Sequence, residues 1–317
     1  MKAVFLDWAT VSRGDLDLAG LRRVLPALQL HDDSTGAQAL ARATDAEVVI
    51  ANKVRLDARL IDAATRLRLI GLAATGTNNV DLEAARSRGI AVCNVRAYCT
   101  RSVVQHVFGV LLALTHNLTR YQQTLRQGAW TRSPQFCLLE FPIRELAGRK
   151  LGIVGFGELG RGVARVAEAF GMEVLIANRP GGAPERGRHD LDDLLRAVDV
   201  LSLHCPLTEH TEGLIGAREL GLMKRDAVLI NTARGALVDA SALAEALHAG
   251  TIGGAGIDVL AQEPPVDGSP LLDPHIPNLI LTPHIAWAAR EARQRAIDQI
   301  VENVDSFLTG GTLRRIV

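Results

Sequence analysis

The stretch Leu151-Gly-Ile-Val154-Gly155-Phe-Gly157-Glu-Leu-Gly160 decides how the rest of this chain is read. Residues 151–154 form a short apolar run of the kind buried in a parallel sheet. Beyond Gly160, Ala164, Val166 and Ala167 continue a helical pattern. Each glycine between them answers a separate demand: Gly155 a tight turn without a Cβ, Gly157 the close approach of a pyrophosphate, Gly160 the packing of helix on strand. Backbone N–H groups and the positive end of the helix dipole then hold the phosphates. Taken alone, G-x-G-x-x-G is often no more than a turn. With a strand before it and a helix behind it, the pattern predicts a dinucleotide site built from Gly155, Phe156, Gly157, Glu158, Leu159 and Gly160.

The next strand is expected at residues 173–177 and runs into Asn178-Arg179-Pro180. In such sites an acidic residue about 20 positions on takes the adenosine ribose, whereas an arginine accommodates a 2′-phosphate. No carboxylate stands at this strand end, and the planar cationic fork of Arg179 suits phosphate. NADP(H) is therefore favoured, with NAD(H) as the alternative in which Arg179 is solvated and Asn178 bonds a ribose hydroxyl.

Outward from this unit, short β-branched runs alternate with amphipathic stretches, the pattern of parallel sheets covered on both faces by helices. Strands are expected at 150–154, 200–203, 227–230, 254–257 and 279–281 beside the one at 173–177. An earlier series falls at 3–6, 29–31, 48–51, 69–72 and 90–92, with a helix over 81–88 closed by Gly89. Val103, Val107, Val110, Leu111 and Leu114 predict one long helix over 100–128, and a second long helix is expected over 286–308. The fold class read from this is α/β with two doubly wound parallel-sheet domains, a flavodoxin-like substrate domain and a Rossmann cofactor domain. Residues 1–97 with 287–317 are expected to form the first and 98–286 the second. The active site is expected in the cleft between them, closed by hinge motion at the two helical linkers.

Composition narrows the class. A length of 317 residues, at about 150 per domain, agrees with two domains, and 48% hydrophobic with 22% charged residues excludes a disordered or fibrous chain. Lys plus Arg and Asp plus Glu both total 35, so no net field favours nucleic acid or an anionic membrane. Arginine outnumbers lysine 31 to 4 but is scattered, which reads as coding bias. Cys93, Cys99, Cys137 and Cys205 have no C-x-x-C spacing, as expected of reduced thiols in a cytosol. The longest apolar run, at 107–114, is far short of the ~20 residues that span a bilayer, and the N-terminal run into Asp7 is too short for a signal peptide, so a cytoplasmic protein is expected.

Three further segments carry chemistry: Asn231-Thr-Ala-Arg234-Gly, Asp258-Val-Leu-Ala-Gln-Glu263-Pro and Thr282-Pro-His284-Ile-Ala-Trp287. With Leu203-His-Cys-Pro206-Leu-Thr and Ala74-Thr-Gly76-Thr-Asn-Asn-Val-Asp81, they resemble the D-isomer-specific 2-hydroxyacid dehydrogenase family over nearly the whole chain. Within it, the Phe-Pro-Ile-Arg-Glu-Leu approach to the Gly-rich loop and the His-Ile-Ala-Trp ending are most similar to glycerate dehydrogenases, also called hydroxypyruvate reductases. The resemblance implies NAD(P)H-dependent reduction of a small 2-oxo acid, such as hydroxypyruvate or glyoxylate, to the D-2-hydroxy acid. Delivering a hydride to C2 requires a proton at the carbonyl oxygen, and an imidazole titrates in the right range. His284 matches the family's acid/base. Glu263 matches the carboxylate that pairs with it, which favours the protonated ring. Arg234 matches the permanent cation that binds the substrate carboxylate and polarises its carbonyl. Singly, each has a plainer reading: a loop histidine, a surface glutamate, an arginine capping a strand.

The resemblance implies further cofactor contacts at Pro206, Thr232, Ala233, Asp258 and Ala286, with Asp258 on the nicotinamide carboxamide. In the first unit, Asn52, Lys53, Thr75 and Gly76 follow strands, where loop N–H groups are expected to hold the substrate carboxylate. Trp287 is expected to wall the pocket or to pack in a core. His106, His204 and His210 match no metal spacing, and no metal is expected. The segment around Trp130 and Phe136 resembles a family dimer contact, which predicts a homodimer. Two alternatives stay open: a dehydrogenase of a bulkier or phosphorylated 2-oxo acid, and a non-catalytic NAD(P)H-sensing protein like the corepressors of this fold.

Overall fold

The computed structural model describes residues 1–317, which form two compact units, Met1–Cys99 with Trp287–Val317, and Thr100–Ala286. No helix is long and apolar enough to cross a membrane.

The first unit runs β1 (Lys2–Phe5), α1 (Ala19–Val24), β2 (Ala27–Leu30), α2 (Gly36–Ala43), β3 (Val48–Ala51), α3 (Ala58–Ala63), β4 (Leu69–Leu72), α4 (Leu82–Ser87) and β5 (Ala91–Cys93). Its sheet is parallel throughout in the order β2-β1-β3-β4-β5, the flavodoxin-like doubly wound arrangement. Alternation of side chains divides each strand between two cores: Ala3, Phe5, Val48 and Ile50 on one face, Val4, Leu6, Val49 and Ala51 on the other. The C-terminal helix Arg290–Leu308 closes the first face with Ala292, Ala296, Ile297, Ile300 and Val304. Each of the larger ones, Ile297, Ile300 and Val304, contributes about 1.5–3 kcal/mol. The tail then covers the sheet edge, where Ile316 N–H donates to Val92 O at 2.7 Å and Arg315 bridges Cys93 in antiparallel sense.

The second unit runs α5 (Thr100–Thr115), α6 (Leu118–Arg126), β6 (Lys150–Val154), α7 (Glu158–Ala169), β7 (Glu173–Ile176), α8 (Leu191–Ala197), β8 (Val200–Leu203), α9 (Ala217–Leu222), β9 (Val228–Asn231), α10 (Ala240–His248), β10 (Gly254–Ile257) and β11 (Leu279–Leu281). Its six strands are parallel in the order β11-β10-β9-β8-β6-β7. Beyond β7, where a Rossmann sheet has its third strand, there is only a single parallel bridge between Ala177 and His189. Counting that bridge, the unit reads 3-2-1-4-5-6 with β11 added as a seventh.

Three expectations need correction. The helix expected over 100–128 is two helices, because Asn117 turns left-handed at φ 50° and donates Nδ2–H to Pro142 O at 2.7 Å. The second strand lies at Ala27–Leu30, two residues earlier than expected at its start. The C-terminal helix begins at Arg290, not at 286, so Trp287 precedes it and sits edge-on to Tyr98 in the first unit, ring centroids 6.3 Å apart.

Candidate active site

Every candidate group of the second unit follows the C-terminal end of a strand, in the connecting turn or in the first turn of α7, the usual place for ligands in open parallel sheets. After β6, Gly155 takes φ +95°, and a Cβ there would lie 2.4 Å from Cys205 N. At Gly160 a Cβ would lie 2.3 Å from Gly155 O, so the loop folds back onto the start of α7. A Cβ at Gly157, by contrast, would meet nothing within 4 Å. The loop is thus closed toward the protein and open outward at the glycine where a pyrophosphate needs room. Gly157 caps α7 without a side chain, leaving the first N–H groups to an anion. The Glu158 carboxylate accepts from the Thr100 hydroxyl, and Arg161 donates to Phe156 O at 3.1 Å; Leu159 is half-buried between them.

After β7, the Asn178 amide is engaged inside its own loop, donating to Asp190 at 2.8 Å and accepting Glu185 N–H at 3.0 Å. Each end of the amide thus has one partner within the loop and keeps one further N–H and one lone pair. Arg179 is exposed and has no ion-pair partner. Pro206 is exposed after β8.

After β9, Asn231 shapes a tight turn: its Oδ1 accepts Ala233 N–H at 3.0 Å and its Nδ2 donates to Arg234 O at 2.8 Å. The Thr232 hydroxyl is buried without a partner, a state that native proteins rarely leave uncompensated. An open phosphate turn and an orphaned hydroxyl fit a dinucleotide lying across these strand ends. The guanidinium of Arg234 donates to Ala233 O at 2.7 Å and has no carboxylate partner.

After β10, Glu263 Oε1 accepts Leu260 N–H at 2.9 Å, and Oε2 lies 2.6 Å from His284 Nδ1. His284 follows β11 at φ +55°, a left-handed conformation uncommon outside glycine. Arg234, Glu263 and His284 line one cavity of about 260 Å³ together with Leu207 and Leu260. Asp258, expected to face a carboxamide, is 1% exposed, and its oxygens accept from Thr282 Oγ1, Ile285 N and Ala286 N at 2.5, 2.9 and 2.8 Å. Its visible task is to hold the His284 turn.

The first-unit candidates behave differently. Asn52 N–H and Lys53 N–H, expected to grip a substrate carboxylate, donate to Asp7 at 2.8 and 2.6 Å, and Val54 N–H joins them at 3.0 Å. An internal carboxylate at the end of β1 already occupies these donors. The Thr75 hydroxyl donates to Val95 O at 2.8 Å, and Gly76 is half-buried beside it. Asp7 and Asn231 carry no catalytic signature in sequence; an acidic or amide residue directly after an apolar strand was their signal.

Burial lowers the His204 pKa to about 4 and raises that of Cys205 to about 11. His210 packs against Gly181 at the surface. No cluster of His, Cys, Asp and Glu could hold a metal ion.

Residues 108–286 match the family model described as D-isomer specific 2-hydroxyacid dehydrogenase, NAD binding domain. Over 311 residues, 98% of this chain and 96% of the other, the sequence is 46% identical to a glycerate dehydrogenase of Methylorubrum extorquens. It is 35% identical to a hydroxypyruvate reductase of Blautia hydrogenotrophica, covering 98% of each. A crystal structure of a protein from Thermus thermophilus superimposes with a TM-score of 0.88 at 36% identity, covering 100% of both chains.

Proposed function

Because the chain belongs to the D-isomer specific 2-hydroxyacid dehydrogenase family, we propose that it reduces hydroxypyruvate or glyoxylate reversibly to the D-2-hydroxy acid, using Arg234, Glu263 and His284. Membership makes it an NAD(P)-binding oxidoreductase. The observation that carries the finer reading is the single cavity shared by Arg234 and the Glu263–His284 pair, joined at 2.6 Å.

The residues that would hold the cofactor are those of the 155–160 turn, with Pro206, Thr232, Ala233 and Ala286 along the strand ends. When bound, a reduced nicotinamide supplies the hydride for C2 of the substrate. The chain does the rest. Arg234, a cation with no internal counter-ion, binds the substrate carboxylate and draws charge onto the carbonyl oxygen. Glu263 fixes the His284 ring through Nδ1, which leaves Nε2 to give a proton to that oxygen. In oxidation the same ring takes the proton back.

NADP(H) is the favoured cofactor, on the strength of unpaired Arg179 and the lack of a carboxylate at the end of β7. Lys53, Thr75 and Gly76 remain candidates for substrate contact through atoms other than the N–H given to Asp7. Trp130, Phe136, Leu139 and Ile143 are 53, 89, 82 and 54% exposed in one segment, a surface that supports a homodimer. Four free cysteines support a cytoplasmic setting.

The test is loss of the reduced-nicotinamide absorbance with NADPH and NADH in parallel against hydroxypyruvate, glyoxylate, pyruvate and phenylpyruvate. Fastest oxidation with hydroxypyruvate or glyoxylate is expected. Preference for phenylpyruvate moves the substrate to bulkier acids. Silence with every pair, in a protein that binds the cofactor, overturns the catalytic reading in favour of a sensor.

A further inference from the structure

Helix α5 carries Ser102, His106 and Val110 at four-residue intervals, so the three form one row along its surface. That row faces one strip of chain. Val110 packs over Gly256 in β10, His106 Nε2 lies 3.1 Å from Thr282 Oγ1, and Ser102 Oγ donates to Ala286 O at 2.6 Å. His284 lies between the last two contacts.

The direction of the bonds follows from counting protons. A hydroxyl has one, and Thr282 gives it to Asp258 Oδ1, because an ionised carboxylate can only accept. The bond to His106 therefore needs His106 as donor, which fixes its ring with a proton on Nε2. Asp258 also accepts the N–H groups of Ile285 and Ala286, and its main-chain oxygen accepts His284 N–H at 2.7 Å. The turn 282–286 is thus pinned to Asp258 on one side and to α5 on the other. What it pins is the left-handed backbone of His284, a conformation that persists only where its surroundings over-determine it.

We infer that His106 is a positioning residue for the reaction: its Nε2–H directs the Thr282 hydroxyl into Asp258, and the completed clamp aims the His284 ring into the cavity of Arg234. The inference rests on His284 being the acid/base of the proposed reaction. It is separate from any metal role, and His106 does not line the cavity itself.

The experiment uses the full chain with five variants, His106→Leu, His106→Gln, Thr282→Val, the double His106→Leu/Thr282→Val and His284→Ala. Displacing a catalytic group from a distance is expected to lower kcat about tenfold or more in His106→Leu, with unchanged affinity for the reduced cofactor by fluorescence titration. The isotope effect on kcat with cofactor deuterated at the transferred hydrogen is expected to rise, because chemistry becomes slower than product release. A fall in the folded fraction alone would leave that isotope effect where it was. His106→Gln keeps a donor at the same reach and is expected to recover most of the rate. Thr282→Val is expected to match His106→Leu, and the double variant to be no slower than either. Near-normal kcat in both single variants, additive losses in the double, or an unchanged isotope effect would overturn the proposal. If His106→Leu does not fold, Thr282→Val and His106→Gln decide the question. Full turnover in His284→Ala removes the role of His284 itself, whereas an inactive His284→Ala beside a normal His106→Leu removes only that of His106.

Discussion

His284 Nδ1 and Glu263 Oε2 lie 2.6 Å apart across 21 residues of sequence, and the other oxygen of Glu263 is held by the Leu260 N–H. The carboxylate is therefore anchored at one end and presented to the imidazole at the other. Removing the ring by His284→Ala is expected to lower kcat by about 10²- to 10⁴-fold, the contribution of a positioned acid, while cofactor affinity stays intact. Glu263→Gln keeps the shape and loses the charge, so its kcat should fall between those of the wild type and His284→Ala. Steady-state rates with a fluorescence titration of the cofactor check both.

Two glycines of one turn should fail in different ways. Gly160→Ala drives a methyl group to 2.3 Å from Gly155 O and should lower the melting temperature as well as cofactor affinity. Gly157→Ala meets nothing within 4 Å, so its melting temperature should match the wild type while cofactor affinity drops. Equal affinity in Gly157→Ala would show that no phosphate passes that position.

The His204 ring, whose Nδ1 is buried without a partner, makes stability depend on pH. Its pKa falls from 6.5 to about 4 on folding, so between those values the unfolded chain binds a proton that the folded one does not. Stability is therefore full above about pH 6.5 and declines toward pH 4, by about 3 kcal/mol for this group, at 1.36 kcal/mol per pKa unit. Urea melts of His204→Gln should show a shallower decline over that window. A parallel decline would assign the acid sensitivity to other groups.

Arg179 should set the cofactor ratio. Loss of a charge-assisted contact to phosphate in Arg179→Ser is expected to lower kcat/KM with NADPH about tenfold or more, and to leave the value with NADH nearly unchanged. A proportional fall with both cofactors would make Arg179 a general loop residue.

Asp7 should matter to the first unit without touching the cofactor. Asp7→Ala leaves three N–H groups of residues 52–54 without this acceptor, one of them buried and two partly so, a loss of about 3 kcal/mol. Thermal unfolding should register it, with KM for the oxo acid rising and cofactor affinity unaltered. If KM is unmoved in the folded variant, residues 52–54 lie outside the substrate site.

Both sheets could be read from sequence because each strand is a short buried run with an unmistakable apolar signature, and the 155–160 turn announced its own neighbours. The helix break at Asn117 escaped because the apolar pattern of α5 runs on in phase, and a single left-handed residue leaves no periodic mark. The strand missing beside β7 was equally silent. That Arg234, Glu263 and His284 come together at one cavity was legible through the motifs around them. The internal bonds of Asp258 and Asn178 were not, since a residue type does not say which neighbours its polar atoms meet. His106 shows the same limit in reverse, a histidine that matched no metal spacing but occupies one row with Ser102.

The single bridge between Ala177 and His189 has a consequence for how such a protein changes over time. With no full strand hydrogen-bonded beyond β7, residues 178–188 run outside the sheet, held by Asn178, by the Glu185–Arg188 ion pair and by their own turns. If Arg179 sets the nucleotide preference as proposed, substitution, insertion or deletion there changes it without touching the six paired strands or the Glu263–His284 pair at the far edge of the sheet.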